Sequence, residues 1–234
     1  VLLVAGASSL AVATVYGGQA WAFLAGQSGR GLQVESVAAL PFVIAHALGA
    51  EVPTMFRFGS MELDVQGAGI AALTATVLGA IVLGWLAIAR LLGRLEAVPG
   101  ADVALAAVAV SVVASRVFSP QYSVWLIGIG AACLVATRTR MGTPVVLISL
   151  AAVITQPIYP PLYSGLIGGD PLPTVLQTLR ILLVVTATAL AVYRVLGHQP
   201  AESPAADGAS GSPPASNVES RSEMIGQRHV DSIH

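Results

Sequence analysis

The stretch GAGIAALTATVLGAIVLGWLAIARLL, residues 67–92, carries no charged side chain before Arg90. A run of this length matches the ~20 apolar residues that carry a helix across a ~30 Å hydrocarbon core. Further apolar runs occupy about 1–16, 34–50, 101–117, 122–136, 143–155 and 174–196. Six or seven such runs in 234 residues are more than a soluble core can use, so they predict an all-α polytopic membrane protein. Only 10% of the residues are charged, against about 25% in soluble domains. The runs at 34–50 and 143–155 are short and read as tilted, broken or re-entrant.

After Gly197 the pattern stops. HQPAESPAADGASGSPPASNVESRSE is rich in Pro, Ser, Ala and Gly and has no apolar period. It buries too little to offset its ordering entropy, so 198–234 is predicted to be a disordered tail beside a helical domain at 1–197. The chain opens at Val1 inside an apolar run with no basic region before it, and reads as the cut end of a longer protein whose N-terminal half is missing. A net charge of -1 gives no sign of nucleic-acid binding. One cysteine, Cys133, allows no internal disulfide or thiolate metal site. With no HExxH, no phosphate-binding GK[ST] loop and no Cys/His cluster, the sequence implies neither metal nor cofactor. His46 stands alone in an apolar run and reads as a helix-packing histidine. SGRG and IGIG read as close-packing glycine patterns.

Arginines orient the runs; there is no lysine. Arg90 and Arg94, Arg138 and Arg140, and Arg194 follow the third, fifth and seventh runs. Placing those ends and the tail in the cytoplasm puts the loops at 51–66, 116–122 and 157–173 on the extracytoplasmic face. The stretch GQSGRGLQVES at 26–36 is cytoplasmic if the second run spans, and shares the outer face if that run is re-entrant or broken at Pro41.

Polar residues gather in islands. GRGLQVES opens an apolar helix in this reading, with Arg30 and Gln33 on one face. Arg30 and Glu35 either flank that helix at headgroup level or act in a site at depth. RVFSPQYSVW, residues 116–125, holds more chemistry than a turn requires. Arg116 offers a bidentate fork suited to phosphate. Ser119, Gln121 and Tyr122 offer neutral groups suited to sugar hydroxyls. Pro120 frees backbone groups, and Trp125 reads as an interfacial aromatic. In TQPIYPPLYSGLIGGDPLP, Gln156 and Tyr159 are site candidates or ordinary loop and belt residues. EVPTMFRFGSMELDVQ reads as a hairpin on the membrane surface, with Arg57 an anion contact or a solvated charge.

RGLQVES at the start of a helix, followed later by SPQYSVW, resembles the C-terminal half of actinobacterial polyprenyl-phosphate-mannose-dependent mannosyltransferases, glycosyltransferase family 87. The resemblance covers roughly 20–197. It implies a membrane enzyme of the GT-C fold that uses a polyprenyl-phosphate sugar donor. It would glycosylate a cell-envelope glycolipid or glycan acceptor on the extracytoplasmic face, within the membrane lipid. It also implies inversion at the anomeric carbon, with a carboxylate base in the missing N-terminal half, so that this fragment alone is expected to be inactive. The stretch 26–36 then belongs near the active site. Arg116 is expected to face the donor phosphate, with Arg30 and Arg57 as further phosphate candidates, and Gln121 and Tyr122 to orient the sugar. Two rivals remain. A secondary transporter would place polar residues in mid-segment and carry an internal repeat. A non-catalytic scaffold subunit would need no polar islands.

Overall fold

A computed structural model describes residues 2–17 and 29–197. The tail at 198–234 and part of the 26–36 stretch lie outside the described residues. The described chain is mostly helical, and its helices track the apolar runs. Helix α1 is Leu2–Tyr16, α3 Ala68–Leu91, α4 Gly100–Val113, α5 Gln121–Val135, α6 Gly142–Ile158 and α8 Pro171–Leu196. Two short helices, α2 at Leu40–Ala47 and α7 at Tyr163–Ile167, lie in the connections. Among the described residues two helices, α3 and α8, are long and apolar enough to cross a membrane.

Helix α8 is the axis of the bundle. It packs most extensively on α6 and also meets α4, α2 and α7, while α3 lies against α4 and α5 bridges α4 and α6. Small side chains allow the close approach: Ala106, Ala109, Ala151, Ala187 and Ala191 are all buried. Gly130 of α5 faces Val145 of α6, as the close-packing reading of IGIG expects, but Gly128 has open space around it; in SGRG, Gly31 abuts Glu62 at the start of a strand and packs no helix.

The second run departs from the sequence reading. Residues 30–36 do not open a helix. Leu32–Gln33 is a strand, β1, paired antiparallel with β3 at Ser60–Leu63, which in turn pairs with β2 at Thr54–Arg57. An all-α description is therefore incomplete: a three-stranded sheet of order β1-β3-β2 caps one end of the bundle. The helical part is a 3-10 turn, Val37–Ala39, followed by α2. The reason is local. Pro41 has no N–H to extend a helix backwards, and the N–H and hydroxyl of Ser36 both close onto the Gln33 carbonyl, at 3.0 and 2.8 Å. Eight residues of α2 rise about 12 Å, far short of a membrane span.

The predicted hairpin is present. Arg57 pairs with Ser60 across a two-residue turn in which Phe58 (φ 49°) and Gly59 (φ 76°) are both left-handed, the type I′ geometry that matches strand twist. Helix α4 also ends earlier than the apolar run suggested, at Val113, because residues 115–119 leave the helix to bond the 30–33 segment.

Candidate functional site

The two polar islands are joined directly. The Gln33 backbone N–H donates to the Arg116 carbonyl at 3.0 Å, and the Phe118 N–H donates to Gln33 Oε1 at 2.9 Å. Arg116 Nη1 donates to the Arg30 carbonyl at 3.0 Å, and Arg30 Nη2 to the Phe58 carbonyl at 3.0 Å. Residues 30–36 therefore lie at the same end of the bundle as the 51–66 and 116–122 loops. Of the two placements considered for this stretch, this is the one expected if the second run is broken. At Gly31 the backbone comes close to Glu62. Its N–H bonds Glu62 Oε2 at 3.1 Å, and a Cβ there would sit 2.8 Å from that oxygen.

Behind the islands lies a buried ion pair. Arg180, about a third of the way along α8 and 0% exposed, donates through Nη1 to Glu35 Oε1 at 3.3 Å and to Gln177 Oε1 at 3.1 Å. Its Nη2 donates to the Phe118 carbonyl at 3.2 Å, and its guanidinium carbon lies 4.1 Å from the Phe118 ring centroid. Gln177 Nε2 holds the Glu35 carbonyl at 2.8 Å, and Gln33 Nε2 holds Glu35 Oε2 at 2.9 Å. The loop Arg180–Glu35–Gln33–Phe118–Arg180 closes on itself. Burial raises the Glu35 carboxyl above its ordinary range, and the charge and hydrogen bond of Arg180 offset only part of that rise. Arginine does not give up its proton, so a neutral Glu35 would strand a buried cation; the pair is charged.

Glu35 also faces a cavity of about 580 Å³. Its wall takes residues from all three loops that charge placement grouped on one face: Phe56 and Ser60, Ser119 and Gln121, Tyr159 and Tyr163. Of the ten site candidates, Gln33, Glu35, Ser119, Gln121 and Tyr159 line it. Tyr159 and Tyr163 meet edge to face at 5.3 Å between centroids. Burial, then the Glu35 charge, pushes the Tyr163 hydroxyl up to about 12, so it stays protonated and remains a donor.

Arg30 and Arg116 line a second, smaller cavity of about 280 Å³, with Asp64 and the first residues of α3. The remaining candidates fall elsewhere. Tyr122 stacks on Trp125 at 4.9 Å and packs against the main core. Arg57 is exposed on β2, and Gln156 is exposed on α6.

At the opposite end, Arg194 donates to the Arg140 carbonyl and, at 3.0 Å, to the Thr143 hydroxyl. Asp102 there accepts from the Thr139 hydroxyl at 2.8 Å and the Arg140 N–H at 3.2 Å. His46 is a packing histidine, its ring nitrogens within 2.9 Å of the Ala50 carbonyl oxygen and 3.2 Å of that of Ile167.

Sequence reasoning passed over Arg180, Gln177 and Glu62. The signal for the first two was present: a lone arginine inside an apolar run, with a glutamine one turn before it on the same face, requires a partner. No family model, curated protein or solved structure matches this chain.

Proposed function

We propose that this chain is part of a polytopic membrane glycosyltransferase that takes a hexose, mannose in the narrowest reading, from a polyprenyl-phosphate carrier. The acceptor is a cell-envelope glycolipid or glycan, and transfer takes place on the extracytoplasmic side. The observation that carries this reading is the cavity at Glu35. Its polar lining is otherwise uncharged, built from hydroxyls and carboxamides, with the aromatic faces of Tyr159, Tyr163 and Phe56 beside them. That mixture suits a sugar, whose hydroxyls need donors and acceptors and whose C–H faces pack on rings. Arg30 and Arg116 border the neighbouring cavity, where a lipid phosphate would find two guanidinium forks.

Membrane embedding is supported by the outer face of α3. Ile70, Leu73, Ile81, Trp85, Ile88 and Leu91 are each more than half exposed. In water that face would be a large apolar patch; in lipid it is the natural surface. The shorter helices α4 and α5 rise about 21 to 23 Å, so the bilayer must thin or adapt around them. Glu35 has both carboxylate oxygens engaged by Arg180 and Gln33. In this reading it accepts hydrogen bonds from the sugar and is not the general base.

The test is transfer by the full-length protein, its N-terminal half included, in lipid nanodiscs from a short-chain polyprenyl-phosphate mannose to a glycolipid acceptor, followed by mass spectrometry, with binding of the same donor measured alongside. Glu35→Ala and Gln121→Ala should lower donor use. Binding of neither lipid-phosphate sugar nor free hexoside would remove the reading. Uptake of sugar into vesicles without bond formation would favour a transporter.

A further inference from the structure

The large cavity contains one group charged at neutral pH, and that charge is balanced from behind by a residue that does not line the wall. Glu35 faces the cavity; Arg180 lies on its far side, buried in α8. The other polar wall residues, among them Gln33, Ser60, Ser119, Gln121 and Tyr163, are uncharged. Arg180 has no freedom to swing away. It is fixed at once by Glu35, Gln177, the Phe118 carbonyl and the Phe118 ring. Gln177 additionally pins the backbone of Glu35.

We propose that Arg180 is a positioning residue that sets specificity: by neutralising Glu35 it makes the cavity select an uncharged sugar over a cationic amino sugar. This rests on reading the cavity as a sugar site. A buried carboxylate without a counter-charge attracts an ammonium group strongly, because the alternative is an unpaired charge in a medium of low dielectric. With Arg180 in place that demand is already met. An ammonium entering the cavity loses its hydration and finds the carboxylate paired, whereas a hydroxyl loses little and bonds the remaining lone pairs. The discrimination is therefore made by a side chain that never touches the ligand.

The experiment uses the full chain in nanodiscs, titrated with methyl α-mannoside and its 2-amino-2-deoxy counterpart at a pH where the amine is protonated. Wild-type protein is expected to favour the neutral sugar. Arg180→Met should move the preference roughly tenfold to hundredfold toward the amino sugar, the scale of a hydrogen bond to a charged group. The double variant Glu35→Gln/Arg180→Met should restore the neutral preference, and Glu35→Gln alone, leaving a net positive charge, should widen it. If Arg180→Met does not fold, the comparison of Glu35→Gln with the double variant carries the test: removing Arg180 there should relax amino-sugar rejection by a similar factor. A preference unchanged within about twofold across the folded variants, with hexoside binding intact, overturns the role of Arg180 and leaves the sugar site standing. Failure of the wild-type protein to bind either hexoside removes the sugar site, and this inference with it.

Discussion

Gln33 accepts the backbone N–H of Phe118 at 2.9 Å, across 85 residues of sequence. The same residue donates its own N–H to the Arg116 carbonyl and its carboxamide to Glu35. One residue thus sews the strand β1, the 115–119 segment and the buried ion pair into a single wall. No apolar side chain of similar volume can replace the carboxamide, because both of its bonds meet buried groups that need a partner.

Gln33→Leu should therefore destabilise the fold well beyond the loss of one contact. It leaves the Phe118 N–H and an oxygen of Glu35 unmet, each costing about 1–3 kcal/mol. Gln156→Leu, at an exposed position outside both cavities, should be close to neutral. Thermal unfolding in one detergent compares them. Equal midpoints for the two variants would show that Gln33 does not hold the wall.

Sidedness has a clean test because Cys133, the native cysteine, is buried. Single cysteines in place of Gly29, Phe58 and Pro161, all exposed, should react with an impermeant thiol reagent from outside intact cells. Cysteines in place of Glu96 and Arg138 should react only after permeabilisation. Position 29 is decisive for the broken second run: labelling of Gly29→Cys in step with Glu96→Cys would contradict its placement beside the hairpin.

The crossing of α3 and α4 is set by one glycine. A Cβ on Gly79 would overlap the Ala114 Cβ, so the helices must part to admit it. Gly79→Ala should cost about 1–3 kcal/mol as overpacking. Ala114→Gly in the same chain should recover much of that. Gly84→Ala, in the same helix with open space around it, should be neutral or slightly stabilising. Urea or thermal unfolding of these variants beside the wild type decides whether the crossing depends on this contact.

Much of this architecture was legible in the sequence, and what was not has a physical reason. Hydropathy runs located α3, α4, α5, α6 and α8 because burial and helical hydrogen bonding reinforce each other there. Arginine placement grouped the loops that share the cavity, since loop charge follows which end of the bundle a loop occupies. The strand β1 was hidden: two residues have no period to read, and their pairing with Leu63 and Glu62 depends on a distant part of the chain. Arg180 was passed over because its neighbours are apolar. The partner that makes its burial tolerable, Glu35, is 145 positions earlier. The cavity, too, is a product of distant loops, although each of those loops advertised itself locally through proline, glycine and tyrosine.

Arg116 makes one structural hydrogen bond and also borders a cavity, and the two contributions can be separated. Its Nη1 holds the Arg30 carbonyl at 3.0 Å, and its side chain borders the smaller cavity with Arg30. If the remaining guanidinium donors receive the donor phosphate, Arg116→Ala should weaken binding of a short-chain lipid-phosphate mannose. The loss should be roughly tenfold to hundredfold, as for a charge-assisted hydrogen bond, while binding of methyl α-mannoside stays nearly unchanged. Arg116→Lys keeps the charge but not the fork and should recover only part of the loss. If Arg116 serves only to hold Arg30, lysine should restore one donor and with it most of the function. The alanine variant should then lose lipid-phosphate and free-sugar binding alike, in step with its thermal midpoint. Isothermal titration of both ligands against the three proteins, with unfolding followed in parallel, distinguishes the two. An unchanged affinity for the lipid phosphate in a stable Arg116→Ala protein would exclude this residue from the phosphate site and leave Arg30 as the cation to replace next.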